Sequence, residues 1–331
     1  MGWRSLAELE TLAVRALMRA KTSEANARSV ARALVAAEAD GLASHGLSRL
    51  PAYADQAIAG KVDGFATPKV TRPRLAVIAV DAASGFAFPA LEAGFAAAVP
   101  AARETGLVAV AVGRSHHFGV AGLQVEHLAR SGLVGIAFGN SPAAIAPRGG
   151  AKPLFGTNPI AFAWPRAGRH PLVIDLSLSK VARGRIMVAA QKGEAIPEGW
   201  ALDAEGHPTT DAKAALAGTM IPMGNAKGTS LVLMVELLAV ALTGSNFGWE
   251  ASSFFDAKGP PPHVGQMFLA LDPQAFADNA AARAEILFSA MLGQPGVRLP
   301  GDRRFRLRAK AEADGVEVPD ALLAEIERRA G

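Results

Sequence analysis

Residues 107–138, LVAVAVGRSHHFGVAGLQVEHLARSGLVGIAF, contain the pattern that decides the fold class. The runs 107–112 and 133–138 are short and apolar, which is typical of buried strands, and the first is rich in valine. Between them, residues 120–130 have apolar side chains at helical spacing, and Gly132 follows where a helix would end. This order of strand, helix and strand predicts an α/β protein with a βαβ-like unit.

The loop of this unit, residues 113–119, contains His116 and His117. It precedes a helix N-terminus, where unpaired backbone N–H groups suit an anion such as a pyrophosphate. The G-x-G-x-x-G fingerprint of the common dinucleotide fold occurs nowhere in the sequence, so a purely structural loop remains an open interpretation. Adjacent histidine side chains diverge and no H-E-x-x-H motif occurs, so no metal site is expected.

The chain ahead of this unit is predicted to be mostly helical. Ser5 and Glu8 form a capping-box pattern for a helix that runs to residue 20, and a second helix runs from residue 22 or 23 to about residue 41. A third helix is expected to begin after Ser44 and to end at Gly60. The composition changes near residue 70, where the α/β region begins.

The remaining predicted elements are assigned by the same patterns. Strands are expected at 160–164, 172–176 and 267–271; helices at 89–105, 229–242, 276–292 and 319–329; and an irregular loop at 193–211. The expected organisation is an N-terminal helical region at 1–70, an α/β region that binds cofactor and substrate at 71–272, and C-terminal helices with a cofactor-contacting tail at 273–331.

Composition restricts the class of protein. The chain has 331 residues, of which 50% are hydrophobic and 19% charged, enough for a sizeable core, and it has no cysteine. A net charge of +4 with scattered basic residues favours small anions over nucleic acid. No signal peptide is apparent, and the apolar run 231–242 is too short to span a bilayer, so it is expected to be a buried helix. We therefore expect a cytoplasmic protein that does not bind membranes.

The stretch 43–53, ASHGLSRLPAY, is the most chemically loaded part of the chain. If it is helical, His45 and Arg49 are an i,i+4 pair and Tyr53 lies one step further along the same face. Imidazole transfers protons near neutral pH, and a guanidinium holds a carboxylate with two parallel hydrogen bonds. The alternative is structural, with Ser44 capping the helix and Arg49 exposed to solvent.

Other cations lie beside predicted helix starts. Arg183 and Arg185 fall in the first turn of a helix, which the helix dipole disfavours, so an anionic ligand is indicated. Lys227 is flanked by glycines, but the match to a P-loop is incomplete. The arginines of the tail around residues 298–304 surround a Pro-Gly turn and suit either a solvated loop or a phosphate site.

Several of these patches together resemble the type 2 malate/L-lactate dehydrogenase family. That family includes sulfolactate dehydrogenases, ureidoglycolate dehydrogenases and the reductases of cyclic Δ1-piperideine- and Δ1-pyrroline-2-carboxylates. The resemblance is carried, in chain order, by Ser44-His45-Gly46 with Arg49, Ser115-His116-His117, Asn140-Ser141-Pro142, the segment 154–159, Asp175 with Ala182-Arg183-Gly184, Lys227-Gly228, and Leu299-Pro300-Gly301. It implies an α/β fold of the sulfolactate-dehydrogenase-like, non-Rossmann type, with a mostly helical N-terminal region and C-terminal helices. It also implies a homodimer with the site near the subunit interface.

The resemblance implies roles for individual residues. His45 is the expected acid/base with Ser44 as its partner, and Arg49 and Thr157 are expected to hold the substrate. To these substrate contacts residue chemistry adds Tyr53, His116 and Arg185. The expected cofactor contacts are His117, Phe118, Gly119, Val120, Ala121, Asp175, Leu176, Ser177, Lys227, Arg298, Leu299, Pro300, Gly301, Asp302, Arg303 and Arg304. The cofactor is NADP or NAD, and the pair Arg303 and Arg304 favours NADP(H), because a 2′-phosphate binds well to an arginine cluster.

One departure from the family pattern bears on the substrate. The cyclic-imine reductases have an aspartate where this chain has Arg185, and usually a histidine where it has Ala226. A cation at 185 would repel a protonated imine and attract a second anionic group. The sequence therefore predicts a dehydrogenase of a dianionic 2-hydroxy acid, sulfolactate- or malate-like. A cyclic-imine reductase and a non-catalytic nucleotide-binding protein are the alternatives.

Overall fold

The computed structural model describes residues 2–331, so Met1, the first residue of the predicted N-terminal region, lies outside the described part. Within residues 2–331 the helices are α1 Leu6–Arg19, α2 Glu24–Ala39, α3 Leu50–Ala59, α4 Ala87–Thr105, α5 Ala121–Arg130, α6 Arg183–Lys192, α7 Ala212–Ala217, α8 Ala226–Glu236, α9 Ala280–Leu292, α10 Asp302–Asp314 and α11 Asp320–Ala330. The strands are β1 Gly2–Arg4, β2 Lys69–Arg74, β3 Val77–Asp81, β4 Leu107–Ser115, β5 Val134–Gly139, β6 Ile160–Trp164, β7 Leu172–Leu176, β8 Ala201–Leu202, β9 Pro208–Thr209, β10 Thr219–Met220, β11 Val264–Leu271 and β12 Val316–Val318.

A mixed sheet of seven strands forms the centre of the molecule, in the order β2-β3-β4-β11-β5-β6-β7. Strands β3 and β4 pair in parallel, and the other neighbouring pairs of this sheet are antiparallel. Strands β4 and β5 run in the same direction, joined through α5, with β11 between them and antiparallel to both. The predicted α/β class is confirmed, and a strand from much later in the chain lies inside the predicted βαβ-like unit.

Both faces of the central strands β4, β11 and β5 are covered, which explains why these strands are almost continuously apolar, whereas the edge strand β2 is exposed. In β4, Val108, Val110 and Val112 belong to the core shared with α4 and α5. Ala109 and Ala111 pack instead against the core that includes α6 and α8. Because successive side chains of a strand point to opposite faces, a run with no polar position is what a strand buried on both faces requires.

A separate helical layer holds the two ends of the chain together. Helices α1, α2 and α3 share a core with α11, and β1 pairs antiparallel with β12. Helix α10 packs against α2 and joins this layer to the sheet. The expected division at about residues 70 and 272 remains a prediction.

Local signals located several elements correctly. Ser5 and Glu8 form the predicted capping box, and Gly60 and Gly106 end α3 and α4 in the left-handed conformation. The bounds of β6 and β7 are those predicted from the sequence.

Other predictions were wrong. The tail after Gly301 is not a loop but the helix α10, and the segment 193–211 includes the short paired strands β8 and β9. Helix α8 begins three residues earlier than predicted and continues as a π-helical turn, Leu237–Ala241. It is buried on one side only, because Leu233, Leu237 and Leu242 are exposed. Within the described residues, no helix combines the length and apolar character needed to cross a membrane.

Candidate active site

The turn that carries Ser44 and His45 is not the predicted α-helix. It consists of two 3₁₀ turns, Ala43–His45 and Leu47–Arg49, with Gly46 between them at φ −93° and ψ −139°. The buried carboxylate of Glu38 explains the break, because its Oε2 accepts the N–H of Leu47 at 2.9 Å. A Cβ at residue 46 would lie 2.2 Å from that oxygen, so only glycine allows this approach.

Ser44 and His45 nevertheless interact directly. The Oγ of Ser44 lies 3.0 Å from Nδ1 of His45. Burial, and after it the nearby positive charge of Arg49, together lower the pKa of His45 to about 4. At neutral pH the imidazole is therefore uncharged, and when Nδ1–H donates to Ser44 the Nε2 lone pair is available to accept a proton.

Arg49 also contacts the turn at Ser44, although residues 45–49 do not have the predicted helical i,i+4 spacing. Its Nε donates to the backbone carbonyl of Ser44 at 2.7 Å, and its guanidinium carbon lies 4.4 Å from the ring centre of Phe255. Within residues 2–331 neither Nη makes a hydrogen bond. Burial lowers the pKa of Arg49, but a guanidinium remains charged in proteins. Both Nη groups are thus free to hold a carboxylate.

Tyr53, which is an expected substrate contact, lies deep in the protein. Its side chain is fully buried, and its hydroxyl lies 2.5 Å from Nδ1 of His117. Burial raises the pKa of Tyr53, so the hydroxyl keeps its proton and donates a hydrogen bond to Nδ1 of His117. The neutral tautomer of His117 consequently carries its hydrogen on Nε2, and its ring centre lies 5.6 Å from that of His45.

His116 is also buried, and Gln56 fixes its tautomer. The Nε2 of Gln56 donates to the Phe254 carbonyl at 2.9 Å, so its Oε1, 2.6 Å from Nε2 of His116, accepts from that ring. Burial lowers the pKa of His116 to about 3, so this ring is neutral. Its Nδ1 is buried and has no hydrogen-bond partner within the described residues.

Thr157 lies at the end of a rigid polar turn. Its backbone N–H donates to Ser141 Oγ at 3.1 Å, and the next residue, Asn158, donates to the buried carboxylate of Glu236 at 2.6 Å. Glu236 also accepts the N–H of Gly248 at 2.7 Å, and burial raises its pKa. Asn158 and Glu236 therefore tie this turn to α8.

The predicted cofactor segment 117–121 leads into α5. Phe118 is buried, Gly119 has φ +68°, and Val120 is the residue before the helix and provides no side-chain cap. The cap comes from Asp175, whose Oδ2 accepts the N–H of Gly122 at 2.9 Å. Asp175, an expected cofactor contact, therefore caps α5 in the structure.

The tail arginines differ sharply from one another. Arg304 forms ion pairs with Asp40 at 3.4 Å and with Asp175 at 3.2 Å. Arg303 and Arg298 are exposed and form no ion pair within residues 2–331. Next to them, Asp302 accepts the N–H of Leu299, Pro300 accepts that of Val173, and Gly301 has φ +96°. Leu176 and Ser177 are exposed at the end of β7, close in sequence to Asp175.

The cations Arg183, Arg185 and Lys227 lie at the starts of α6 and α8. Arg185 and Lys227 are exposed in the first turns of α6 and α8, and burial lowers the pKa of Arg183. Within residues 2–331 no hydrogen bond or ion pair links any of them to the turn 43–49. The same residues contain no group of three or more histidine, aspartate and glutamate side chains that could hold a metal ion.

Comparison with known proteins identifies the family. The model of the malate/L-lactate dehydrogenase family matches residues 5–327. The chain belongs to this family. It is 59% identical over 322 residues to a (2R)-3-sulfolactate dehydrogenase (NADP(+)) of Chromohalobacter salexigens, with 97% of this chain and 96% of the relative covered. It is 43% identical to Delta(1)-pyrroline-2-carboxylate reductase 1 of Burkholderia ambifaria, with 97% and 96% covered.

Solved structures agree with this assignment. The delta1-piperideine-2-carboxylate reductase of Pseudomonas syringae matches with a TM-score of 0.94 at 38% identity, covering 99% of this chain and 100% of that chain. The sulfolactate dehydrogenase of Methanocaldococcus jannaschii matches with a TM-score of 0.90 at 28% identity, covering 99% and 96%. The predicted family resemblance and the prediction of an oxidoreductase are confirmed.

For this member of the malate/L-lactate dehydrogenase family, sequence reasoning missed one wall of the site. Gln56 and Lys61, together with Phe254 and Phe255, surround the histidines and Arg49. The two phenylalanines lie about two hundred residues from the turn 43–49 in sequence, and nothing local distinguishes them from core residues. The one available signal was Gln56, which continues the face of Tyr53 along the predicted helix.

Proposed function

We propose that this chain is an NADP(H)-dependent dehydrogenase of a small 2-hydroxy acid with a second acidic group, of the sulfolactate or malate kind. The observation that carries the proposal is a neutral His45, paired with Ser44, beside an Arg49 whose two Nη groups are unpaired. Interconversion of a 2-hydroxy acid and a 2-oxo acid needs one proton-transfer group at the oxygen and one cation at the carboxylate.

The residues divide this chemistry between them. Arg49 holds the substrate carboxylate, which places the hydroxyl-bearing carbon next to the turn 43–49. In the oxidative direction Nε2 of His45 accepts the hydroxyl proton, while Nδ1–H donates to Ser44 and keeps the ring oriented. In the reductive direction the protonated ring returns a proton to the carbonyl oxygen. Bound NADP(H) supplies or accepts the hydride.

The cofactor site is proposed at the N-terminus of α5 and the tail. Asp175 caps α5 at the N–H of Gly122, and the first turn of this helix lies beside the end of β7 and the guanidinium of Arg304. The Nη1 of Arg304 is buried and has no partner within residues 2–331, which fits a nearby oxygen-rich ligand. The sheet has a single parallel pair among its six pairings, which supports a binding mode other than that of the doubly wound dinucleotide fold.

The second acidic group of the substrate is assigned to Arg185. This residue and Arg183 have no carboxylate partner within the described residues, so their charge is available for an anion. The 59% identical relative is named for a substrate with both a carboxylate and a sulfonate, which supports the same choice.

Steady-state assays with NADPH test this proposal. A panel of sulfopyruvate, oxaloacetate, pyruvate and Δ1-piperideine-2-carboxylate should show the highest kcat/KM for a dianion. Arg185→Ala should lower kcat/KM for the dianion about 10- to 100-fold, as for a lost charge-assisted hydrogen bond. It should change kcat/KM for pyruvate much less. A wild type that prefers the cyclic imine, with a silent Arg185→Ala, would contradict the dianion assignment.

A reductase of cyclic imine carboxylates is the second candidate. It is favoured by the 43% identical pyrroline-carboxylate reductase and by the match to the piperideine-carboxylate reductase structure. The variant Arg185→Asp separates the two, because it repels a dianion and gives a protonated imine nitrogen a partner.

We also propose a cytoplasmic homodimer. The exposed apolar side chains of α8 and of the π-helical turn that continues it form an apolar face that a second copy of the chain would bury. The absence of cysteine is compatible with a reducing compartment.

A further inference from the structure

The guanidinium of Arg49 rests on an aromatic ring instead of a carboxylate. Its carbon lies 4.4 Å from the ring centre of Phe255, and its Nε is occupied by the carbonyl of Ser44 at 2.7 Å. A cation over a ring face is held by the quadrupole of the ring, which takes up no N–H donor. Phe255 therefore restrains the plane of the guanidinium and leaves both Nη groups for a ligand.

The loop that carries Phe255 is fixed from the side of α3. Residues 249–262 are called the wall loop here. The ammonium of Lys61 is buried and donates to the wall-loop carbonyls of Ser253, Asp256 and Lys258 at 2.7, 3.0 and 2.6 Å. These contacts use all of its hydrogens, so Lys61 serves as an anchor with no donor left for a substrate.

Further hydrogen bonds hold the wall loop, both within it and from α3. The N–H of Phe255 donates to Ser253 Oγ at 3.0 Å, and the carbonyl of Phe254 accepts from Gln56 at 2.9 Å. The ring of Phe254 is buried, with its centre 5.0 Å from that of His117. One phenylalanine thus points into the histidine cluster and its neighbour supports Arg49.

We propose that Phe255 is a positioning residue that orients Arg49 for two-point binding of the substrate carboxylate. This inference rests on the proposed function, in which Arg49 is the carboxylate anchor. Two parallel hydrogen bonds require the guanidinium plane to match the plane of the carboxylate. The ring of Phe255 lies against one face of the guanidinium, so it fixes that plane and keeps water away from that face. The binding of any small 2-oxo acid should depend on Phe255, whatever its second group, because all of these acids carry the carboxylate that Arg49 holds.

Substitution of the ring tests the proposal. Phe255→Ala should raise the KM of the best 2-oxo acid about 3- to 30-fold, the range of a cation–π contact, and leave kcat and the Kd of NADPH nearly unchanged. Phe255→Tyr keeps the ring face and should restore the KM. Phe276→Ala is the matched control, because that ring is also exposed and lies outside the site. A Phe255→Ala enzyme with the wild-type KM would overturn the proposal.

A double-mutant cycle shows whether the effect passes through Arg49. In an Arg49→Ala background, Phe255→Ala should change the KM by less than about two-fold, because the residue it positions is gone. An equal loss in both backgrounds would mean that Phe255 acts as ordinary packing, and this would overturn the inference.

Binding of oxamate, an unreactive 2-oxo-acid analogue, keeps the two proposals distinguishable. If the wild type turns over no compound of the panel, the proposed function fails, and the same cycle is then measured on the oxamate Kd of the NADPH complex by calorimetry. Coupling between residues 49 and 255 in that Kd would support the positioning role. Additive losses, or no oxamate binding by the wild type, would overturn it.

Discussion

At the scale of single residues, His45 is uncharged in the free protein, which its proposed role as a base requires. Burial and Arg49 lower its pKa to about 4, so lowering the pH to 6 does not protonate it in the free enzyme. For oxidation of the hydroxy acid, kcat/KM should therefore stay level from neutral pH to well below 6.5, the pKa of free imidazole. For reduction, which needs the protonated ring, kcat/KM should rise as the pH falls through the same range. A pH profile of both directions checks this, and an acidic limb at 6.5 or above for oxidation would contradict it.

Removal of the imidazole should affect chemistry far more than binding. His45→Asn should lower kcat by about 10²- to 10⁴-fold and leave the NADPH Kd, measured by fluorescence, nearly unchanged. His207→Asn is the control, because that histidine is exposed on a surface turn. A His45→Asn enzyme that retains more than about a tenth of the wild-type kcat would rule out His45 as the acid/base.

At the scale of elements, the turn 43–49 depends on a contact between Glu38 and Gly46. Gly46→Ala would place a methyl group 2.2 Å from Glu38 Oε2, so the carboxylate must move and release the N–H of Leu47. Unfolding in urea should show a loss of about 1–3 kcal/mol in the free energy of unfolding. Gly184→Ala, where an added Cβ meets nothing within 4 Å, should be neutral or stabilising. Equal effects of the two substitutions would refute this explanation of the broken helix.

Helix α10 places Arg303 and Arg304, which the sequence analysis considered as a pair, in different surroundings. Arg304 is occupied by Asp40 and Asp175, whereas Arg303 is exposed and free for a 2′-phosphate. Arg303→Ala should lower kcat/KM for NADPH about 10- to 100-fold with little change for NADH. Arg304→Ala should lower both by similar factors and reduce thermal stability, because it leaves Asp40 buried without one of its partners. If Arg303→Ala affects both cofactors equally, the residue does not recognise the 2′-phosphate.

The sequence predicted those elements whose stabilising contacts are local in the chain, and it missed those whose contacts are distant. The capping box at Ser5 and the left-handed Gly60 are local, and both were located correctly. Helix α10 was missed because its stabilising partners are distant: Arg308 pairs with Asp40 and Glu126, far from it in sequence. The same distinction applies to the site. Ser44, His45 and Arg49 form a local motif, whereas Phe255 joins them only through tertiary contacts.

At the scale of the whole molecule, the exposed face of α8 predicts self-association. Leu237→Glu places a charge on a leucine that is 51% exposed, and it should convert a dimer to a monomer in light scattering, with loss of activity if the site lies near the interface. Leu75→Glu is the control, since that leucine is also exposed but lies between β2 and β3. A monomeric wild type, or a Leu237→Glu variant that remains dimeric, would contradict the prediction.

The position of β11 in the sheet has a consequence for synthesis on the ribosome. Its neighbours β4 and β5 are complete by Gly139, but β11 begins only at Val264, about 125 residues later. At about 5–20 residues per second, the nascent chain spends on the order of 10 s with two apolar strand edges waiting for the strand that joins them. Unpaired edges are templates for aggregation, so this interval is when the chain most needs a chaperone. Nascent chains stalled before Val264 should accordingly be held by chaperones or aggregate, whereas those stalled well beyond Leu271 can close the sheet.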